Sequence, residues 1–144
     1  MKIVLASDHA ALDLRQYLVG KLNEAGHHTV EVGAMDATAY DYPDAADELV
    51  KALNQHDLGV VICGTGIGIG IRANRHPGVR AALCTTEYMA EMAREHNDAN
   101  VLALGARVLG TEQAWAILQA FMRGKASTVP RHMARVAKLD ADLA

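Results

Sequence analysis

The sequence predicts an α/β protein: a three-layer, doubly wound, Rossmann-like fold around a five-stranded parallel sheet. Short apolar runs alternate with longer amphipathic segments along the chain, the pattern left by strands joined through crossover helices. The runs at 3–6 and 58–62 are uncharged and rich in Val, Ile and Leu, as strands covered on both faces are. With 144 residues and 51% hydrophobic content the chain can bury one sizeable core, so residues 1–144 read as a single domain.

Ile3-Val4-Leu5-Ala6 is the first buried strand. A helix follows from Ala10 to Ala25, with Leu14, Leu18 and Leu22 on one face and Gly26 ending it. Thr29-Val30-Glu31-Val32 alternates as a half-exposed edge strand does. Pro43 starts a helix whose inner face is Ala46, Leu49, Val50 and Leu53. Leu58–Ile62 is the third strand, followed by a glycine-rich turn and a short helix over Ile71–Arg75. Val79–Cys84 is the fourth strand, Glu87–Glu95 a helix, and Val101–Leu104 the fifth strand. Thr111 is placed to cap a helix with Ala114, Ile117, Leu118, Phe121 and Met122 as its stripe, closed by Gly124. A last helix begins near Pro130.

Composition excludes several function classes. Seventeen acidic against fourteen basic residues give a net charge of -3, which supplies no reason to expect nucleic acid or a membrane surface as partner. The N-terminal run meets Asp8 too early for a secretory signal, and the uncharged stretch from Leu58 to Ile71 is too short and glycine-rich to span a bilayer. Cys63 and Cys84 are then expected to be reduced thiols in the cytoplasm.

The densest chemical signal is Cys63-Gly64-Thr65-Gly66-Ile67-Gly68-Ile69-Gly70, directly after the third strand. Closely spaced glycines let a backbone approach a ligand and turn its amides toward one point, a setting for a phosphate or a developing oxyanion. The spacing fits neither a dinucleotide fingerprint, which lacks its third glycine here, nor a triphosphate loop, which would need a Gly-Lys-Ser/Thr ending. The bland reading is a tight turn with a packed cysteine. Against it stands convergence, because doubly wound folds bind ligands outside the carboxyl ends of their strands. Those ends carry Ser7-Asp8-His9, Cys63 with its turn, Cys84-Thr85-Thr86, and Gly105 with Arg107.

With these residues in view the chain resembles the type B ribose-5-phosphate isomerases, a family that includes galactose-6-phosphate isomerase subunits. The resemblance runs from first strand to last helix. It is carried by Ser7-Asp8-His9, Asp41-Tyr42-Pro43, Cys63 through Gly68, Asn74, Glu95 through Asn100, Gly105-Ala106-Arg107 and Arg131-His132-x-x-Arg135. It implies an aldose–ketose isomerase of small sugar phosphates that works without cofactor or metal, built as a homodimer or homotetramer with sites at the subunit interface.

The resemblance also implies roles. Cys63 is the base that moves a proton between carbons 1 and 2 through a cis-enediolate. A branch of the family uses a glutamate six residues later, where this chain has Ile69. The amides of Gly64, Gly66, Ile67 and Gly68 hold the enediolate, and the Thr65 hydroxyl shuttles a proton between its oxygens. His96 opens the sugar ring, with Asn97 beside it on a hydroxyl. Asp8 and His9 bind sugar hydroxyls or assist ring opening, Asp8 also serving as a helix cap. Arg107, Arg131 and Arg135 bind phosphate, the last two sharing a helical face at i, i+4. Tyr42 lines the site.

Each role has a plainer counterpart: a solvated helix-end histidine, a solvated arginine face, a packing tyrosine. Gly70 and Arg72 depart from the family's usual serine and alanine and bear on which sugar is preferred. Ribose 5-phosphate leads, with a hexose 6-phosphate (allose or galactose) or a non-catalytic phosphosugar-binding module as alternatives.

Overall fold

The computed structural model describes residues 1–142. Five parallel strands, β1 (Lys2–Ser7), β2 (His28–Gly33), β3 (Leu58–Cys63), β4 (Ala81–Leu83) and β5 (Val101–Gly105), form one sheet in the order β2-β1-β3-β5-β4. The helices are α1 (Leu12–Glu24), α2 (Tyr42–Leu53), α3 (Ile67–Ala73), α4 (Glu87–Asn97), α5 (Thr111–Arg123) and α6 (Pro130–Asp140), and a 3-10 turn at His9–Ala11 leads into α1. Among the described residues no helix is long and apolar enough to cross a membrane.

Alternating side chains of each central strand feed two cores. Ile3, Leu5, Val60, Ile62, Leu102 and Leu104 pack against α1, α4 and α5. Val4, Ala6, Val61, Cys63, Val101 and Ala103 pack against α2 and α3. The two sets lie on opposite faces because successive strand residues point apart, which produces the three expected layers. The expected inner stripe of α1 is fully or nearly fully buried at Leu14, Leu18 and Leu22. β2 is an edge strand of alternating exposure, as its sequence suggests.

Three local expectations are corrected. The short helix starts at Ile67 rather than Ile71, so Gly68 and Gly70 lie inside a helix. Glycine's poor helix propensity made them look like turn residues, but close packing calls for a glycine at 68 and a small residue at 70. A Cβ on Gly68 would lie 2.7 Å from the Tyr42 ring, and one on Gly70 would lie 3.3 Å from the Ala103 methyl. Thr111 does not cap α5: Gly110 occupies the N-cap, and no side chain bonds the helix start. β4 spans three residues instead of six. The Asn74 side chain accepts from the Ala81 amide and donates to its carbonyl, at 2.7 and 2.9 Å, so it occupies backbone groups at this short edge.

The strand order changes direction at β1/β3, because the chain leaves β1 for β2 on one side while β3 lies on the other. The crevice outside the carboxyl ends at such a point is where open α/β sheets bind ligands.

Candidate active site

Ser7 ends β1 opposite Ile62 of β3, and Cys63 ends β3 opposite Gly105 of β5. The three segments after these strands therefore share one rim. Asp8 is 8% exposed; its amide donates to the Ile62 carbonyl, and its carboxylate accepts from the Ala10 amide at 3.1 Å. The cap role expected for it is real, and the cap fixes the carboxylate at the rim. His9 is exposed, and its Nδ1 accepts from the Tyr40 amide at 3.0 Å. In the neutral ring the proton then sits on Nε2, which makes that edge a donor. Tyr40 is itself held by its hydroxyl on the Glu48 carboxylate, whose other oxygen accepts from the Gly33 amide at 3.0 Å.

Cys63 is 5% exposed, and the Gly66 amide donates to its Sγ across 3.1 Å. That contact needs the chain to double back within three residues, and Gly66 supplies the turn with φ at 79°. A Cβ on Gly66 would stand 2.7 Å from the Leu104 carbonyl carbon, so glycine is required twice over. The Thr65 hydroxyl oxygen accepts from the Ile67 amide at 3.2 Å and is exposed, leaving its proton directed by solvent or ligand. The expected anion cradle over Gly64–Gly68 is thus narrower than the sequence suggested. The Gly66 and Ile67 amides already serve Cys63 and Thr65, while the Gly68 amide lies in the first turn of α3, where amides lack intrahelical partners. Ile69 is fully buried beside Cys63 in the α2/α3 core and cannot exchange protons. Arg107 closes the rim: its amide donates to the Gly64 carbonyl, and a Cβ on Gly64 would lie 3.3 Å from its Nη1.

His96, Asn97, Arg131 and Arg135 do not join this rim within one chain. α4 starts just beyond the carboxyl end of β4 and runs back, so its last residues reach the amino edge of the sheet. There Arg80, immediately before β4, donates from Nε to the Asn97 carbonyl at 3.1 Å. α6 crosses the same edge: the His132 and His96 ring centroids are 4.5 Å apart, and Asp140 pairs with Arg80 at 2.9 Å. The length of β5 alone puts the two clusters about 13 Å apart. Strand polarity, invisible in a list of motifs, is the reason. Arg131 and Arg135 are both exposed, and no residue of α6 is buried.

Sequence reasoning missed Arg15. It is 2% exposed and donates from Nη1 to Ser7 Oγ at 2.9 Å and to the Val32 carbonyl at 3.0 Å, while Nε pairs with Glu31. It ties the ends of β1 and β2 under the rim. The available signal was an arginine next to Leu14 and three residues before Leu18, on the inner side of α1. Tyr40 and Glu48 left no comparable trace. Arg72 points away from the rim, making two bonds to Asp47 of α2 at 2.8 and 3.0 Å, and His76 adds a third at 2.7 Å. The two residues singled out for substrate preference, Gly70 and Arg72, therefore serve the packing of α3 on the sheet and on α2. Cys84 is packed as expected, 1% exposed, and burial pushes its thiol up to about 11. No group of three or more His, Cys, Asp or Glu side chains among the described residues is arranged to hold a metal ion.

An open doubly wound sheet with a thiol, a carboxylate and an imidazole at its switch point has the architecture of an α/β enzyme. The family model described as Ribose/Galactose Isomerase matches residues 3–139, and the chain belongs to that family. It is 39% identical over 142 residues to a ribose-5-phosphate isomerase B of Escherichia coli, covering 97% of this chain and 95% of the relative. A D-erythrulose-4-phosphate isomerase of Pectobacterium atrosepticum is 41% identical over 126 residues, covering 85% and 82%. The solved ribose-5-phosphate isomerase B of Clostridium thermocellum superposes with a TM-score of 0.94 at 42% identity, covering 97% and 95%. The chain is accordingly an aldose–ketose isomerase of the ribose-5-phosphate isomerase type.

Proposed function

We propose that this isomerase interconverts ribose 5-phosphate and ribulose 5-phosphate, with Cys63 as base, in a site completed by a second copy of the chain. The observation that carries the chemistry is the Gly66 amide on the Cys63 sulfur. An amide aimed at the sulfur is a partner for the negative charge that a thiolate base carries. Names of relatives at 39–42% identity support the pentose phosphate as substrate.

Ring opening comes first. A proton leaves the C1 hydroxyl, the bond from C1 to the ring oxygen breaks, and His96 of the second copy supplies the proton that the ring oxygen takes up. Cys63 then takes the C2 proton, and the electrons move onto O1 to give the enediolate. Donors at Gly64, Thr65 and Gly68 hold that charge, and the Thr65 hydroxyl moves a proton from O2 to O1. The Cys63 thiol returns its proton to C1, completing the ketose. Asp8, the Nε2 edge of His9 and Tyr42, together with Asn97 of the second copy, bind hydroxyls. Arg107 from the rim and Arg131 and Arg135 from the second copy grip the phosphate. No step calls on a cofactor.

The second copy is needed because His96 and the two arginines sit at the far edge of their own sheet. Apolar surface for the contact is present beside the rim: Ile67 and Ile71 on α3, Leu83 on β4, and Tyr88 and Met89 on α4 are 36–69% exposed. Two free cysteines support the cytoplasm as its compartment.

Turnover measured on ribose 5-phosphate, erythrulose 4-phosphate, allose 6-phosphate and galactose 6-phosphate tests the reading. Highest kcat/KM is expected for ribose 5-phosphate. Preference for the tetrose or a hexose moves the substrate, and no turnover of any of them removes catalysis.

A further inference from the structure

We propose that His132, its ring oriented by Ser127, is a positioning residue that holds the His96 imidazole for sugar ring opening. The inference rests on the isomerase reading above and adds a residue to which that reading gives no part.

The geometry starts from the loop before α6. The Ser127 amide donates to the Glu95 carbonyl at 2.9 Å, which fixes Ser127 to the last turn of α4, one residue from His96. Ser127 Oγ accepts from the Val129 amide at 3.1 Å. Its hydroxyl also stands 2.9 Å from His132 Nδ1, close enough to donate its proton there. An Nδ1 that accepts leaves the neutral ring with its proton on Nε2. The half-buried His132 ring meets His96 with centroids 4.5 Å apart and planes tilted by 45°. His96 therefore has one face backed by a ring that is itself pinned, although it is exposed on its other side.

Charge adds to this. Burial first, then His96, Arg131 and Arg135, push the His132 imidazole below its ordinary value, while Glu95 on α4 pulls the other way. An imidazole lowered in this way is neutral near neutral pH, so His132 does not compete for the proton that ring opening consumes. A phosphate seated on Arg131 and Arg135 lies next to this pair, which places ring opening beside the anchor of the substrate.

The test separates ring opening from enolisation. Ribulose 5-phosphate is acyclic, because the hydroxyl that would close a furanose on C2 carries the phosphate. Exchange of its C1 proton with D2O reads Cys63 chemistry alone, and turnover of the cyclic aldose reads both steps. For His132→Phe and Ser127→Ala, kcat on ribose 5-phosphate is expected to fall on the order of tenfold to a hundredfold, the range for a misplaced catalytic group. KM and C1 exchange should stay within about twofold of wild type on the same scale, and Ser127→Thr should restore most of the rate. Nitrogen-15 imidazole spectra should show His132 as the Nε2–H tautomer in the wild type and lose that signature in Ser127→Ala.

Parallel loss of C1 exchange, a rise in KM alone, or unchanged turnover overturns the proposal. A wild type without turnover but with the expected tautomer sinks the isomerase reading, and the role of the pair with it. A turning-over wild type whose His132 carries its proton on Nδ1 sinks only the pair.

Discussion

Cys63 and His96 stand at opposite edges of the same sheet, one at the carboxyl end of β3 and the other in the last turn of α4. An isomerase that uses both must take them from different chains. If so, a mixture of inactive variants should regain activity. Cys63→Ser and His96→Asn, unfolded together and refolded, should give hybrid dimers in which one site carries both lesions and the other none. Random pairing of two such chains yields about a quarter of wild-type activity. Turnover that stays at the level of the parent variants would place both residues in one chain's site.

How much of this was legible in the sequence depends on which physical rule carried each residue. Strand ends of a doubly wound sheet point to one rim, so Asp8, His9, Cys63 and Arg107 could be grouped from the alternation of elements alone. His96, Arg131 and Arg135 were joined to them only by resemblance, because nothing in a linear pattern reports that α4 carries its C-terminus away from that rim. Gly68 and Gly70 looked like turn residues because propensity is local, whereas the Tyr42 ring and Ala103 methyl that demand small residues there are tertiary. Arg15 lay on an apolar stripe and was readable. The Tyr40–Glu48 contact pairs residues with no periodic or motif signal.

Arg131 and Arg135 are expected to bind phosphate from the second copy. Each change to Ala should raise KM for ribose 5-phosphate by roughly tenfold or more, since a charge-assisted bond contributes about 1.5–3 kcal/mol. A smaller loss in kcat should accompany it, because remote binding also positions the reacting carbons. Inorganic phosphate should inhibit the variants less than the wild type. Unchanged KM and phosphate inhibition in both would take the arginines out of the site.

Gly66 and Gly70 should respond differently to the same added atom. Gly66→Ala forces a side chain onto a backbone with φ of 79° and into contact with the Leu104 backbone at 2.7 Å. It should lower stability by about 1–3 kcal/mol and detach the amide from Cys63, cutting turnover even where the protein still folds. Gly70→Ser meets only the Ala103 methyl at 3.3 Å. Its melting temperature and its ranking of sugar phosphates should stay close to wild type. A changed ranking in Gly70→Ser would return that position to substrate selection.

Asp47 sets an acid limb on stability. Bonds from Arg72 and then His76 hold its carboxyl down to about 2, below the ordinary 3.8. A carboxyl depressed in the folded state stabilises the fold above its unfolded value and loses that contribution as pH falls through the folded value. The Asp47 share should therefore be intact above about pH 4 and disappear toward pH 2. Urea midpoints measured from pH 2 to pH 7 should fall less steeply at the acid end for Asp47→Asn than for wild type. Parallel curves would mean that the α2–α3 clamp contributes no pH-dependent stability.

Cys63→Ser is the most direct test of the chemistry. The substitution keeps the size of the side chain and leaves the Gly66 amide a serine oxygen to bond, so folding and sugar-phosphate binding should survive. A hydroxyl is far too weakly acidic to serve as base near neutral pH. Isomerisation should slow by at least about a hundredfold, the low end for general-base catalysis. Ile69, beside Cys63 in the same core, is fully buried hydrocarbon and cannot take over. The split between steps is the sharper signature: C1 exchange of ribulose 5-phosphate should fall with turnover, while anomers of ribose 5-phosphate continue to interconvert through His96. Cys84→Ser serves as the control, because that thiol is pushed up to about 11 by burial and is no base at neutral pH. It should lose some stability and little activity. A Cys63→Ser protein with near wild-type turnover would return Cys63 to the α2/α3 core as a packing residue and leave proton transfer to another group on the rim.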